Sequence, residues 1–217
     1  MASRHRSPCG EAAMMRPQDV MERPLQFRGS ALARRLLRWW GWEVDFDGLP
    51  GAQGVLAVYP HTSNWDFIVG VLAKWAMGIE VKVWAKASLF KVPVFGPWLA
   101  WIGGVPVDRS SPHGLVGDMV RRMQDARDRQ EMLWLVVAPE GTRSAGEGWR
   151  SGFYQVALAS DVPLGLAYLD FGRKRVGVHS FLQLSGDVDA DMAEIARRLS
   201  PAVGCRPANA APIRLKK

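Results

Sequence analysis

Two cysteines, four histidines and three tyrosines are all that these residue types contribute to a chain of 217 residues. Each scarcity closes off a class of protein. Cys9 and Cys205 lie near opposite ends, in stretches that read as disordered; they offer neither a disulfide framework nor zinc spacing and suit a reducing compartment, so the chain reads as intracellular. His5 falls in the amino-terminal tail, His113 at a helix start and His179 in a strand, which leaves His61 without a second imidazole and gives no metal site. No run reaches the roughly 20 mainly apolar residues of a transmembrane helix. The nearest approach, residues 92–107, is broken by Pro93, Pro97, Pro106 and several glycines. No apolar stretch precedes Met21, so no secretory signal is expected. Internal repeats are absent as well.

With 48% hydrophobic residues, a chain of this length suits one α/β domain with a sizeable core. Residues 1–25 are rich in arginine and proline without periodicity and are expected to be disordered; residues 26–200 form the domain; residues 201–217 read as a disordered basic tail. The net charge is +7, and eight arginines against three carboxylates place +5 of it in the first 42 residues. That basic stretch ends in Trp39, Trp40 and Trp42. Tryptophan beside arginine favours the boundary between water and lipid, so an anionic membrane surface is expected as a partner and the protein is placed peripherally on the cytoplasmic face. Nucleic acid is not expected, because the surplus charge precedes the sheet and no nucleic-acid motif is recognised.

Short apolar runs alternate with helical patterns. Ser30 caps an amphipathic helix carrying Ala31, Leu32, Leu36, Leu37 and Trp40, and residues 44–46 suit an edge strand. Strands are predicted over residues 55–59, 80–85, 103–109, 132–138, 163–169 and 176–184, and helices over 64–77, 111–129, 151–160 and 189–199, with short helices within 86–101. This alternation indicates a mixed, largely parallel sheet flanked by helices.

Chemistry gathers where three of these strands end. After Tyr59 the chain reads Pro60, His61, Thr62, Ser63, Asn64, Trp65, Asp66. On a continuous helix His61 and Asp66 would stand roughly 140° apart, so they meet only if the chain turns between them. Thr62, Ser63 and Asn64 are the residue types that make such turns and cap the helix that follows. Two readings of the pair stand side by side: a hydrogen-bonded structural histidine, or a general base held by a carboxylate. The second loop carries Asp108 and Arg109, and the third, residues 139–144, carries Glu140, Gly141, Thr142 and Arg143. Loops at strand ends of an open α/β sheet share one crevice. Two arginines aimed there suit a phosphate, and Gly141 lets Glu140 and Arg143 face the same space.

With these motifs in order, the chain resembles the glycerolipid acyltransferases of the lysophosphatidic acid acyltransferase type, from about Leu36 to Leu169. The histidine and aspartate with four residues between them resemble the first motif, residues 104–109 the second, 139–144 the third, and Val162 to Leu164 the fourth. The resemblance implies a single acyltransferase domain that moves a fatty acyl group from acyl-CoA or acyl carrier protein to a lysophospholipid hydroxyl. No cofactor is implied beyond that thioester co-substrate. His61 and Asp66 would be catalytic. Arg109, Glu140, Gly141, Thr142 and Arg143 would hold the acceptor, and Pro163 with its neighbours would shape the acyl or acceptor side. No Gly-x-Ser-x-Gly elbow or suitably placed cysteine is present to form an acyl-enzyme. Ala138 and Pro106 depart from the family pattern, so another lysolipid remains an alternative acceptor. The rival classes are a non-catalytic basic membrane-binding protein and a metal-dependent hydrolase using His61, Asp66 and Glu140.

Overall fold

The computed structural model describes residues 16–107 and 112–216. Among these residues eight strands form one sheet: β1 (Gln18–Asp19), β2 (Glu43–Asp45), β3 (Gln53–Tyr59), β4 (Lys82–Lys86), β5 (Gly104–Val107), β6 (Leu133–Val137), β7 (Leu164–Asp170) and β8 (Arg175–Gln183). Their order is β1-β8-β7-β3-β6-β4-β5, with β2 also paired to β8. The five strands from β7 to β5 run parallel, while β8 is antiparallel to β7 and β1 antiparallel to β8. The sheet is therefore mixed and largely parallel, as the alternating pattern indicates.

Helices cover both faces: α1 (Ala31–Trp39), α2 (Trp65–Met77), α3 (Phe95–Trp101), α4 (Pro112–Asp128), α5 (Gly152–Ala159) and α6 (Val188–Leu199). Strand β3 shows why the central strands read as unbroken apolar runs. Val55, Ala57 and Tyr59 pack into one core with α4, α5 and α6, whereas Leu56 points into the other with α1 and α2. Both faces are dry, so neither set of positions can be polar.

Helix α1 follows its expected start. Ser30 Oγ accepts the Ala33 N–H at 3.3 Å, as an N-cap should. The buried side chains are Ala33 and Leu37, while Leu32, Leu36 and Trp39 are exposed at 66, 45 and 88%. The tryptophan cluster divides in the same way. Trp42 is buried edge-on to Phe171 at 4.8 Å, and Trp40 lies against Trp65 at 5.5 Å.

Residues 16–25 and 201–216 correct the sequence expectation of disorder, while residues 1–15 lie outside the described residues. Gln18 and Asp19 pair with β8, and Asp19 Oδ1 meets Arg198 on α6 at 2.6 Å, so the segment from Arg16 is tied down. Residues 201–216 are not a loose tail either. Phe171 N–H, beyond the end of β7, donates to Val203 O at 2.8 Å, and Trp149 exchanges backbone hydrogen bonds with Arg214 and Lys216. Ala211 is buried in the core and Ala210, Ile213 and Leu215 pack against it, spaced too irregularly to read as an element.

Candidate active site

Strands β3 and β6 are hydrogen-bonded neighbours, with Ala57 opposite Val137, so the loops leaving their carboxyl ends emerge side by side. The first loop turns through residues 60–64 into α2. Asp66 sits in the first turn of that helix and is 2% exposed. Its Oδ2 accepts the N–H groups of Thr62 at 2.6 Å and Ser63 at 2.8 Å, and lies 3.2 Å from His61 Nδ1. Ser63 Oγ in turn accepts the Trp65 N–H at 3.2 Å. One carboxylate oxygen thus closes the turn and brings together a pair that a continuous helix would hold apart. A proton on Nδ1, facing Asp66, leaves the Nε2 lone pair free, and the His61 side chain is 25% exposed, so that atom can meet a substrate. Asp66 Oδ1 is buried and has no partner among the described residues.

Glu140 has a different place from the one expected. It is 2% exposed; Oε2 accepts the His61 backbone N–H and Oε1 accepts the Ala211 N–H at 2.9 Å. Burial pushes its carboxyl above the usual range, and the two amide donors pull the other way. Both oxygens are occupied by main chain, so Glu140 positions the His61 backbone and does not reach the acceptor. Neighbouring Tyr59 also has its hydroxyl pKa raised, by burial and then by the Glu140 charge.

The remaining predicted residues separate. Arg143 is exposed and donates from its guanidinium to Asn64 Oδ1, joining the third loop to the first. Thr142 is exposed, and its hydroxyl accepts the Ser144 N–H at 3.3 Å. Gly141 has φ +69°, a conformation that favours glycine, and a Cβ there would meet only the movable end of the Arg150 side chain, 2.6 Å away at Nε. Asp108 and Arg109 lie outside the described residues. Val162 to Leu164 fall at the wrong end of the sheet: Leu164 is opposite Val55, whereas the site begins beyond Tyr59, opposite Tyr168. Pro163 therefore supports the strand start, with its carbonyl accepting the Val55 N–H at 3.0 Å.

Four contributors escaped the sequence reading. Asn64, a turn and capping residue by sequence, also holds Arg143. The Arg206 N–H donates to Thr62 Oγ1 at 3.2 Å, Asn209 Nδ2 to Arg143 O at 2.9 Å, and the Ala211 N–H to Glu140. Nothing in the composition of residues 201–216 signals these contacts. A cleft lined by Lys74, Val81, Trp101, Val105, Met119 and Trp134 opens near the amino ends of β4, β5 and β6, away from His61. Among the described residues, no cluster of three His, Cys, Asp or Glu suits a metal ion, and no helix is long and apolar enough to cross a membrane.

A family model described as Acyltransferase matches residues 43–165. The chloroplastic 1-acyl-sn-glycerol-3-phosphate acyltransferase BAT2 of Brassica napus is 24% identical over 126 residues, 57% of this chain. That alignment spans 36% of the relative's own length. The crystal structure of the 1-acyl-sn-glycerophosphate acyltransferase PlsC from Thermotoga maritima aligns over 69% of this chain and 65% of that one, at 14% identity and a TM-score of 0.45.

Proposed function

The chain belongs to the glycerolipid acyltransferase family, and on that premise we propose that it transfers a fatty acyl group from acyl-CoA or acyl carrier protein to the free hydroxyl of a lysophospholipid such as lysophosphatidic acid. The observation that carries the reading is the 3.2 Å approach of Asp66 Oδ2 to His61 Nδ1 at the carboxyl end of a central parallel strand.

His61 Nε2 takes the proton of the acceptor hydroxyl as its oxygen bonds to the thioester carbonyl carbon. The C–S bond then breaks, and the departing thiolate takes the proton from the imidazolium, leaving an ester and a free thiol. Asp66 stabilises the imidazolium between these steps and keeps Nε2 aimed outward. Base catalysis of this kind contributes roughly 10²- to 10⁴-fold. Arg143, steadied by Asn64, and Arg109 bind the acceptor phosphate, with Thr142 and Gly141 beside them; Glu140 keeps His61 in place.

The same reading places the protein on the cytoplasmic face of an anionic membrane, where such an acceptor resides. Supporting it are exposed Leu32, Leu36 and Trp39 on α1, Trp65 and Ile68 on α2, and Trp101 on α3. Ring contacts of Trp40 with Trp65 at 5.5 Å and of Phe67 with Trp98 at 5.6 Å link the three helices. Exposed Arg35 and Arg38 stand on α1, and a basic residue near an anionic surface contributes about 1 kcal/mol.

The test is product identification by mass spectrometry after incubating purified protein with each thioester and a panel of lysolipids. Phosphatidic acid formed from lysophosphatidic acid supports the proposal. A product from a different lysolipid alone keeps the reaction and replaces the acceptor; no transfer from either donor overturns it.

A further inference from the structure

Residues 201–216 cross the carboxyl ends of three adjacent strands in sheet order. Val203 O meets the chain beyond β7, Gly204 and Arg206 meet the turn after β3, and Asn209 and Ala211 meet the loop after β6. The approach at β3 is close: a Cβ on Gly204 would lie 2.7 Å from Thr62 Oγ1 and 3.1 Å from Pro60 Cγ. Thr62 adjoins His61, and it is 1% exposed because this segment covers it. Arg206 is thus fixed at its backbone beside the His61 turn, and Pro207 restricts the chain immediately after it. Three residues on, Asn209 grips the Arg143 carbonyl. Arg206 therefore stands between the loop carrying His61 and the loop carrying Arg143.

Its own side chain is exposed. Among the described residues, neither Arg143 nor Arg206 has a carboxylate within ion-pair distance. Arg143 is steadied by a neutral amide instead. Two arginines whose backbones one strap holds beside the same pair of loops, neither paired with a carboxylate among the described residues, suit an anion that arrives with the substrate.

We propose that Arg206 is a substrate-binding residue that, with Arg143, holds a phosphate group at the mouth of the site. The proposal rests on the acyltransfer reading above. A phosphate is carried by the lysophospholipid acceptor and also by the coenzyme A donor, and the kinetic arms below separate the two.

Arg206→Ala, Arg206→Glu and Arg206→Lys all retain the backbone N–H that meets Thr62. For each, KM for lysophosphatidic acid is measured at saturating acyl-CoA and KM for acyl-CoA at saturating lysophosphatidic acid. The expected result is a rise of about tenfold in KM for lysophosphatidic acid in the Ala variant, as loss of one charge-assisted hydrogen bond predicts. The rise should be larger in the Glu variant and mostly reversed in the Lys variant. The same pattern confined to the acyl-CoA arm also supports the proposal and assigns the phosphate to the donor. Unchanged KM in both arms overturns it, as does an equal rise in both accompanied by a lower unfolding midpoint. A wild-type protein that transfers to no acceptor would instead remove the acyltransfer reading itself, and this proposal with it.

Discussion

Glu140 accepts the backbone N–H of His61 across 79 residues of sequence, and its other oxygen accepts that of Ala211. One buried carboxylate therefore connects the loop after β3, the loop after β6 and the carboxyl-terminal strap. Glu140→Ala leaves two buried amides without acceptors, each costing about 1–3 kcal/mol. Glu140→Gln supplies one acceptor oxygen in place of two and should fall between. Chemical denaturation should rank wild type above Gln above Ala, with acyl transfer falling in the same order. An Ala variant of wild-type stability would contradict the clamp.

Asp66→Asn preserves size and an acceptor for the Thr62 and Ser63 amides but removes the charge that faces His61. The expected loss is about 10²- to 10⁴-fold in kcat, because the imidazolium is no longer stabilised and the tautomer no longer enforced. Steady-state kinetics check this; a loss confined to KM would move Asp66 out of the chemical step.

The strap is tested by stopping the chain at Ser200. That removes the donors to Glu140, Thr62 and the Arg143 carbonyl, together with the backbone pairing at Trp149. A lower thermal midpoint and the loss of most acyl transfer are expected. Full activity in the truncated protein would show that these residues only cover the site.

Acid should loosen the opposite edge of the sheet. Arg197 first, then Arg198, holds the Glu194 carboxyl down at about 2, and Arg198 likewise lowers that of Asp19. A depressed carboxyl contributes stability that is whole above its unfolded value of about 4.3 and is lost as pH falls towards the folded value. Unfolding midpoints measured from pH 6 to pH 2.5 should therefore decline, and Glu194→Gln should flatten part of that decline. An unchanged slope would remove the Glu194–Arg198–Asp19 connection from the account.

Membrane contact is read by sedimentation with anionic vesicles. Replacing Trp39 and Trp101, exposed at 88 and 73%, with alanine should reduce the bound fraction. Binding equal to wild type would place the contact elsewhere.

The fold was legible because β3, β6 and β7 are buried on both faces and so write themselves as apolar runs between turn residues. The His61 turn was legible from spacing and residue type: a continuous helix would hold His61 and Asp66 on different faces, and Thr62, Ser63 and Asn64 supply the polar groups for a turn. Orientation was not legible. The pattern of α1 fits two faces, and only packing on α2 selects Ala33 and Leu37. Glu140 reads the same whether it faces solvent or two main-chain amides, since those amides come from 79 residues before it and 71 after. The strap was invisible because its proline, alanine and arginine composition matches that of a loose tail, while its few core-packing side chains, Ala210, Ala211, Ile213 and Leu215, show no period and many of its contacts run through backbone groups every residue possesses.

The central claim, that His61 is the base in acyl transfer, is tested most directly by thiol release from acyl-CoA in the presence of lysophosphatidic acid, wild type against His61→Ala. The substitution spares the backbone N–H that Glu140 holds, so the unfolding midpoint should stay near that of wild type. The account predicts acceptor-dependent release by wild type and at least about 10²-fold less by the variant. Equal release by a folded His61→Ala protein would contradict it.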